Sequence, residues 1–176
     1  MREGDPPGAL TIVDDGAGRS LRLAPVATGA AVRACRDLPV TLTTRVTTSL
    51  RFRVNTAGLT DATIVALRGS GGDLGSVRIS KRGRFSYFDG TRKVEPSTRF
   101  VRRTWYRLSV VTDQRRRTYD ITIRRDDGTV VLRQRGLKWR RAEVPSLREM
   151  CIQTSTDQPK QRIDVSDVQV LQEPGP

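Results

Sequence analysis

From Val40 to Val54 the chain alternates: Val40, Leu42, Val46, Leu50, Phe52 and Val54 share one parity, and Thr41, Thr43, Arg45, Thr47, Ser49, Arg51 and Arg53 fill the other. A period of two with one apolar face and one polar, basic face predicts a half-buried antiparallel strand, or two joined by a bend. Stretches of the same kind recur at Ala62 to Arg68, Ser76 to Lys81, Arg84 to Asp89, Thr104 to Thr112, Thr118 to Arg125, Thr129 to Gln134, Leu147 to Thr154 and Arg162 to Leu171. Between them lie residues with turn chemistry: Gly69, Gly71 and Gly72 in one loop, Lys81-Arg82-Gly83, Asp89-Gly90 and Asp127-Gly128. Helical periodicity is scarce, so the pattern predicts an all-β sandwich or barrel.

At 176 residues the chain has the length of one domain, and it carries no repeat of fixed period and no linker long enough to divide it. The expected organisation is an N-terminal tail and first strand over 1–18, with the first dozen residues loose, one sandwich over 19–172, and a short tail at 173–176. No apolar run approaches the roughly 20 residues of a membrane span, and the opening MREGDPPG lacks the apolar stretch of a signal peptide. No membrane span is expected.

The chain has no histidine, which removes the commonest general base at neutral pH and every histidine-ligated metal. With two cysteines, a four-cysteine zinc site or a cysteine-held iron–sulfur cluster is excluded within one chain, leaving oxygen ligands for any metal. Cys35 and Cys151 both fall on the parity opposite their apolar neighbours and so point off the core. They are either two thiols or a disulfide; a bridge would imply secretion.

Taken in order, Ser20-Leu-Arg-Leu, Ala30-Ala-Val-Arg-Ala-Cys-Arg, the Val40 to Val54 segment, Gly83-Arg-Phe-Ser-Tyr-Phe-Asp-Gly, Thr104-Trp-Tyr-Arg-Leu-Ser-Val-Val-Thr-Asp, Arg117-Thr-Tyr-Asp-Ile-Thr-Ile and the closing Ile163-Asp-Val-Ser-Asp-Val-Gln-Val form a recognisable series. It resembles the concanavalin A-like, laminin-G-like jelly rolls of secreted bacterial proteins, over roughly residues 20 to 171. The resemblance implies a two-sheet antiparallel jelly-roll sandwich but leaves activity open, because this fold carries lectins, hydrolases, lyases and structural modules. The paired-carboxylate strand motif of the family's glycoside hydrolases is absent, and Asp120 is the main acid on a central strand. A lyase acting on acidic polysaccharide through Tyr87, Tyr106 or Tyr119 with arginine is the enzymatic alternative, although the family's lyase motifs are also absent. Many relatives bind calcium on sandwich loops, and Asp14, Asp15, Asp126, Asp127, Asp164 and Asp167 are the carboxylates available for it. None matches a ligand-loop signature, and no other cofactor is expected.

Charge is the strongest functional signal. The chain holds 32 Lys and Arg against 19 Asp and Glu, and from Arg99 to Arg148 fifteen basic residues face five acidic ones. Such a field attracts polyanions, and a bias of 28 arginines to four lysines favours bidentate contact with carboxylate, sulfate or phosphate, or reflects a GC-rich genome. Strand parity sets Arg78, Arg107, Asp120 and Arg124 on polar faces. If their strands neighbour one another in the concave sheet, as the resemblance implies, the four line one groove with Trp105 at its rim. Trp105 resembles the family's structural tryptophan and could alternatively stack on sugar. Trp139, flanked by Lys138, Arg140 and Arg141, is a second candidate platform, expected to be exposed. The reading is a non-catalytic, lectin-like module of an extracellular protein that binds a glycan, favouring anionic ones through arginine. A structural or protein-interaction domain is a further alternative, and nucleic acid is disfavoured because basic and aromatic residues do not interleave on the strands.

Overall fold

A computed structural model describes residues 10–14, 18–25, 31–38, 45–55, 62–141, 143, 145–155 and 160–173. It contains β1 (Leu10–Asp14), β2 (Arg19–Leu23), β3 (Arg33–Asp37), β4 (Arg45–Val54), β5 (Ala62–Gly69), β6 (Gly72–Ile79), β7 (Phe85–Asp89), β8 (Arg92–Val94), β9 (Tyr106–Asp113), β10 (Thr118–Arg125), β11 (Val130–Lys138), β12 (Leu147–Gln153) and β13 (Ile163–Glu173). They build two antiparallel sheets, one of seven strands in the order β1-β2-β13-β4-β9-β10-β11 and one of six in the order β3-β12-β5-β6-β7-β8. Both are open-edged, so the molecule is a sandwich rather than a barrel.

Alternation decides which face each strand buries. On β4, Val46, Thr48, Leu50, Phe52 and Val54 point inward while Arg45, Thr47, Ser49, Arg51 and Arg53 point out, as their parity predicts. The first part of the predicted long strand, Val40 to Thr44, lies outside the described residues. Inner faces of β9 (Tyr106, Leu108, Val110) and β10 (Tyr119, Ile121, Ile123) continue that layer, and Ile64, Leu67, Leu74, Val77, Ile79 and Phe85 supply the opposite one. Phe52 stacks on Tyr106 with centroids 5.5 Å apart, and Phe85 meets both Tyr106 and Phe100 edge-on across the sandwich. Offset and edge-to-face geometry adds to the area these rings bury.

The strand boundaries differ from the sequence pattern where glycine hides the alternation. The Gly69 to Asp73 loop is a tight hairpin: Gly69 pairs with Gly72, so β6 starts four residues earlier than its apolar run suggests. Gly72 takes φ +124°, which a side chain would strain. Similarly, β11 continues past Gln134 because a register shift opposite Tyr119 and Ile121 absorbs the extra residues. β1 pairs along its whole length with β2, so residues from Leu10 onward belong to the sheet rather than to a loose tail.

One contact sets how closely the two sheets approach. Tyr119 of the seven-stranded sheet lies against the backbone of Gly75 in the other, and a Cβ built at Gly75 would stand 2.7 Å from the ring. The Tyr119 hydroxyl donates to the Phe88 carbonyl, and burial pushes its pKa well above the ordinary phenol value. At the edge of the six-stranded sheet Cys35 and Cys151, directly opposite in the β3–β12 register, form a disulfide with Cα atoms 4.1 Å apart. Both cysteines lie on the outer face, as parity predicts, and the two-thiol alternative is set aside.

Gly75→Ala should therefore overpack the interior and cost about 1–3 kcal/mol in chemical denaturation, with the Tyr119→Phe/Gly75→Ala pair no better because the ring itself collides. Replacing the bridge by Cys35→Ala/Cys151→Ala, which opens a closed loop spanning 116 positions, should lower unfolding free energy by about 2–4 kcal/mol, read from the denaturation midpoint with and without reductant.

Candidate functional site

The outward face of the six-stranded sheet is built in rows by the strand register. The central row, Cys35–Cys151–Ala66–Ser76, consists of small side chains and the disulfide. Beside it runs Arg33–Gln153–Thr63–Arg78, and on the other side Asp37–Glu149–Arg68–Asp73. Small residues between two polar rows leave a depression of about 250 Å³, lined by Arg33, Thr63, Arg68, Asp73, Arg78, Arg140 and the row of small residues.

The arginines around this depression are not equivalent. Arg68 is neutralised twice, by Asp73 at 3.1 Å and Glu149 at 3.0 Å. Arg140 lies 3.9 Å over the Phe88 ring with Asp73 at 3.8 Å. Arg33 donates only to the neutral Gln153 side chain, at 3.1 Å. Arg78 has a buried Nε that finds no hydrogen-bond partner among the described residues. A buried guanidinium N–H without an acceptor is costly. Arg33 and Arg78 thus stand at the two ends of one row as cations without carboxylate partners among the described residues, with the Gln153 amide and Thr63 hydroxyl between them.

Of the residues predicted to form one groove, only Arg78 is here. Arg107 and Arg124 do neighbour each other, directly opposite in the β9–β10 register and outward-facing, but on the seven-stranded sheet. Parity tells which side of a strand faces out; it does not tell which sheet the strand joins, and β6 joins the other one. Asp120 also faces out on the seven-stranded sheet, where its Oδ1 accepts from the Gly136 amide at 2.8 Å and holds the irregular turn of β11. Trp105 is half-buried, with the guanidiniums of Arg51 and Arg53 over its ring at 4.3 and 4.5 Å. Trp139 is not an exposed platform. It is 3% exposed, because it shares inward parity with Leu137 while Lys138 and Arg140 point away. Its role is to position the next residue: the Trp139 amide donates to Arg117 O, the Arg140 amide to Leu74 O, and the Arg140 side chain reaches the rim. Arg33, Thr63, Arg68, Ser76 and Gln153 were not singled out from sequence. Their only signal was outward parity, shared with many residues that do not converge.

Three of the carboxylates considered for calcium, Asp126, Asp127 and Asp164, are engaged within the chain. Asp126 binds Arg51 at 2.5 Å, and Asp127 accepts from the Thr129 amide at 2.8 Å within its own turn. Among the described residues the one group of three metal-type ligands is Cys35, Glu149 and Cys151, whose sulfurs are bonded to each other. Asp164 is fully buried beneath Arg22 at 2.7 Å, Arg53 at 2.8 Å and Asn55 at 2.5 Å. Burial raises its pKa, the hydrogen bonds from the two arginines lower it, and the lowering prevails.

No protein-family model matches the chain, and no curated sequence does. Solved structures do. A sialidase superposes with TM-score 0.65 at 13% identity over 94% of this chain, which spans only 16% of the sialidase. An endo-β-1,4-glucuronan lyase from the fungus Trichoderma reesei gives 0.64 at 11% identity, covering 94% of this chain and 87% of the lyase. A seed lectin of Lotus tetragonolobus gives 0.62 at 14%, covering 96% and 95%. The fold is a concanavalin A-like jelly roll. At these identities the likeness establishes this jelly roll's architecture and not its ligand.

The Asp164 cluster has a pH signature. Since its folded pKa lies below the unfolded value of about 3.9, its contribution is complete above about pH 5 and lost as pH falls through the folded pKa. Denaturation midpoints measured down the acid limb should fall below about pH 4, and Asp164→Asn should be less stable at neutral pH with a flatter acid limb.

Proposed function

We propose that this jelly roll is a non-catalytic carbohydrate-binding module that takes an acidic glycan on the outward face of its six-stranded sheet, and that it works outside the cell. The observation that carries the reading is the Arg33–Gln153–Thr63–Arg78 row beside the small-residue row. Two guanidiniums without carboxylate partners among the described residues can each take a carboxylate or sulfate in bidentate fashion. Thr63, Ser76 and Gln153 offer the neutral donors and acceptors that sugar hydroxyls need, and the flat stretch of Ala66 and Cys151 lets a ring approach closely. A disulfide fits an oxidising compartment, and no helix among the described residues is long and apolar enough to cross a membrane.

Binding without cleavage is favoured by where the reactive groups are. Tyr87, Tyr106 and Tyr119 all belong to the core cluster, and burial raises the pKa of Tyr87 and Tyr119 away from a useful acid or base range. Asp73 and Glu149 are both engaged in ion pairs with Arg68, so they are not a free pair of carboxylates of the kind that flanks a glycosidic bond.

The test is a panel of immobilised uronate, sulfated and neutral polysaccharides at physiological salt. Wild-type protein should be retained by at least one acidic polymer, and Arg33→Ala and Arg78→Ala should each weaken that binding about tenfold or more, the value of a charge-assisted hydrogen bond. Binding unchanged by both substitutions, or conversion of a uronate polymer to unsaturated product, would overturn the reading, the latter in favour of a lyase.

A further inference from the structure

The opposite outer face carries a second set of cations that the site above does not use. In the seven-stranded sheet Arg51, Arg107 and Arg124 are directly opposite one another on β4, β9 and β10. Like charges so placed destabilise a sheet unless something neutralises them. Their one shared carboxylate is Asp126, bound to Arg51 and 3.6 Å from Arg107. Among the described residues Arg124 reaches the Gly128 carbonyl, at 3.4 Å. The adjacent row is Gln169–Ser49–Ser109–Thr122–Arg133. Apart from Arg133, the two rows line a shallow depression of about 140 Å³, in which Asp167, at the β13 bulge, is the acidic member. Four arginines therefore face two carboxylates across a surface whose remaining groups are hydroxyls and an amide.

We infer that this arginine row is a second site for an acidic polysaccharide, lying across the strands, and that one molecule holds two polysaccharide chains, one on each outer face. Neighbouring strands are about 4.8 Å apart, so the arginine side chains leave the sheet at intervals close to the length of one sugar ring, which suits an acidic group on successive sugars. Hydroxyl and amide groups in the next row suit sugar hydroxyls. Nucleic acid fits less well, because single strands bind by stacking bases on open aromatic faces. Trp105, the aromatic ring at this end among the described residues, already has Arg51 and Arg53 over it. The two faces lie on opposite sides of the sandwich, so a short stretch of one chain cannot occupy both. The bridging half of the inference rests on the glycan reading of the six-stranded face; the arginine row does not.

The experiment is calorimetric titration with hexasaccharides of polymannuronate and of heparin, beside turbidity with the corresponding long polymers. Wild type should bind about two hexasaccharides per chain and turn the long polymer turbid, since two sites on one body cross-link. Arg107→Ser/Arg124→Ser should reduce the stoichiometry to about one and abolish turbidity with an unchanged melting temperature. Arg78→Ala should do likewise through the other face. Arg115→Ser/Arg116→Ser, which removes equal charge from the exposed β9–β10 turn, should change neither. A wild-type stoichiometry of one that Arg107→Ser/Arg124→Ser leaves intact overturns the second site, as does an equal loss in the Arg115→Ser/Arg116→Ser control. Loss confined to Arg107→Ser/Arg124→Ser, with Arg78→Ala binding as wild type, sustains the arginine-row site and overturns both bridging and the reading of the six-stranded face.

Discussion

Tyr119 lying on Gly75 is the contact from which the rest of the molecule takes its dimensions. The ring comes from β10, one strand in from the edge of one sheet, and the bare backbone from β6 in the middle of the other. A side chain larger than hydrogen at that point would hold the layers apart there, whereas the aromatic cluster of Phe52, Phe85, Phe100 and Tyr106 closes the sandwich at the other end of β9 and β10. The Tyr119 hydroxyl has to be satisfied in a dry interior, and the Phe88 carbonyl does this. Because the core is closed in this way, every alternate residue of the central strands is committed to one of two outer surfaces, and function has to be sought there.

Those surfaces are strongly basic, and the structure shows how the charge is tolerated. Some arginines are fully occupied: Arg22 and Arg53 enclose the buried Asp164, and Arg68 holds Asp73 and Glu149. Others are stacked, as Arg51 and Arg53 are on Trp105 and Arg140 is on Phe88. Among the described residues, some of the arginines without a carboxylate partner gather at the two depressions. Arg33 and Arg78 stand at the two ends of one depression, and Arg124 lines the other. Uncompensated cations gathered around hydroxyl-bearing depressions carry the functional reading, and total charge alone does not.

Several features were legible in the residues because they are local. The period of two from Arg45 to Val54 gave the buried and exposed faces of β4 correctly, and the outward parity of Cys35 and Cys151 was right for a cross-strand bridge. Asp127-Gly128 and Asp89-Gly90 marked real turns, with both glycines at positive φ. Legibility failed at Trp139, where charged neighbours suggested exposure although two-residue alternation with Leu137 already pointed the indole inward. It failed again at Gly72, whose missing side chain concealed four residues of strand.

By itself the sequence determined the class of fold, the side of each strand that meets water, and the absence of histidine chemistry, because these depend on spacing along one strand or on composition. Tertiary structure alone decided that Arg78 lies across the sandwich from Arg107 and Arg124, and that Arg33, Gln153, Thr63 and Arg78 form one row. The order of strands in a sheet is set by pairings between segments more than a hundred residues apart, such as β3 with β12 and β2 with β13. Such pairings are chosen by how whole apolar faces cover one another, and no local pattern records that choice.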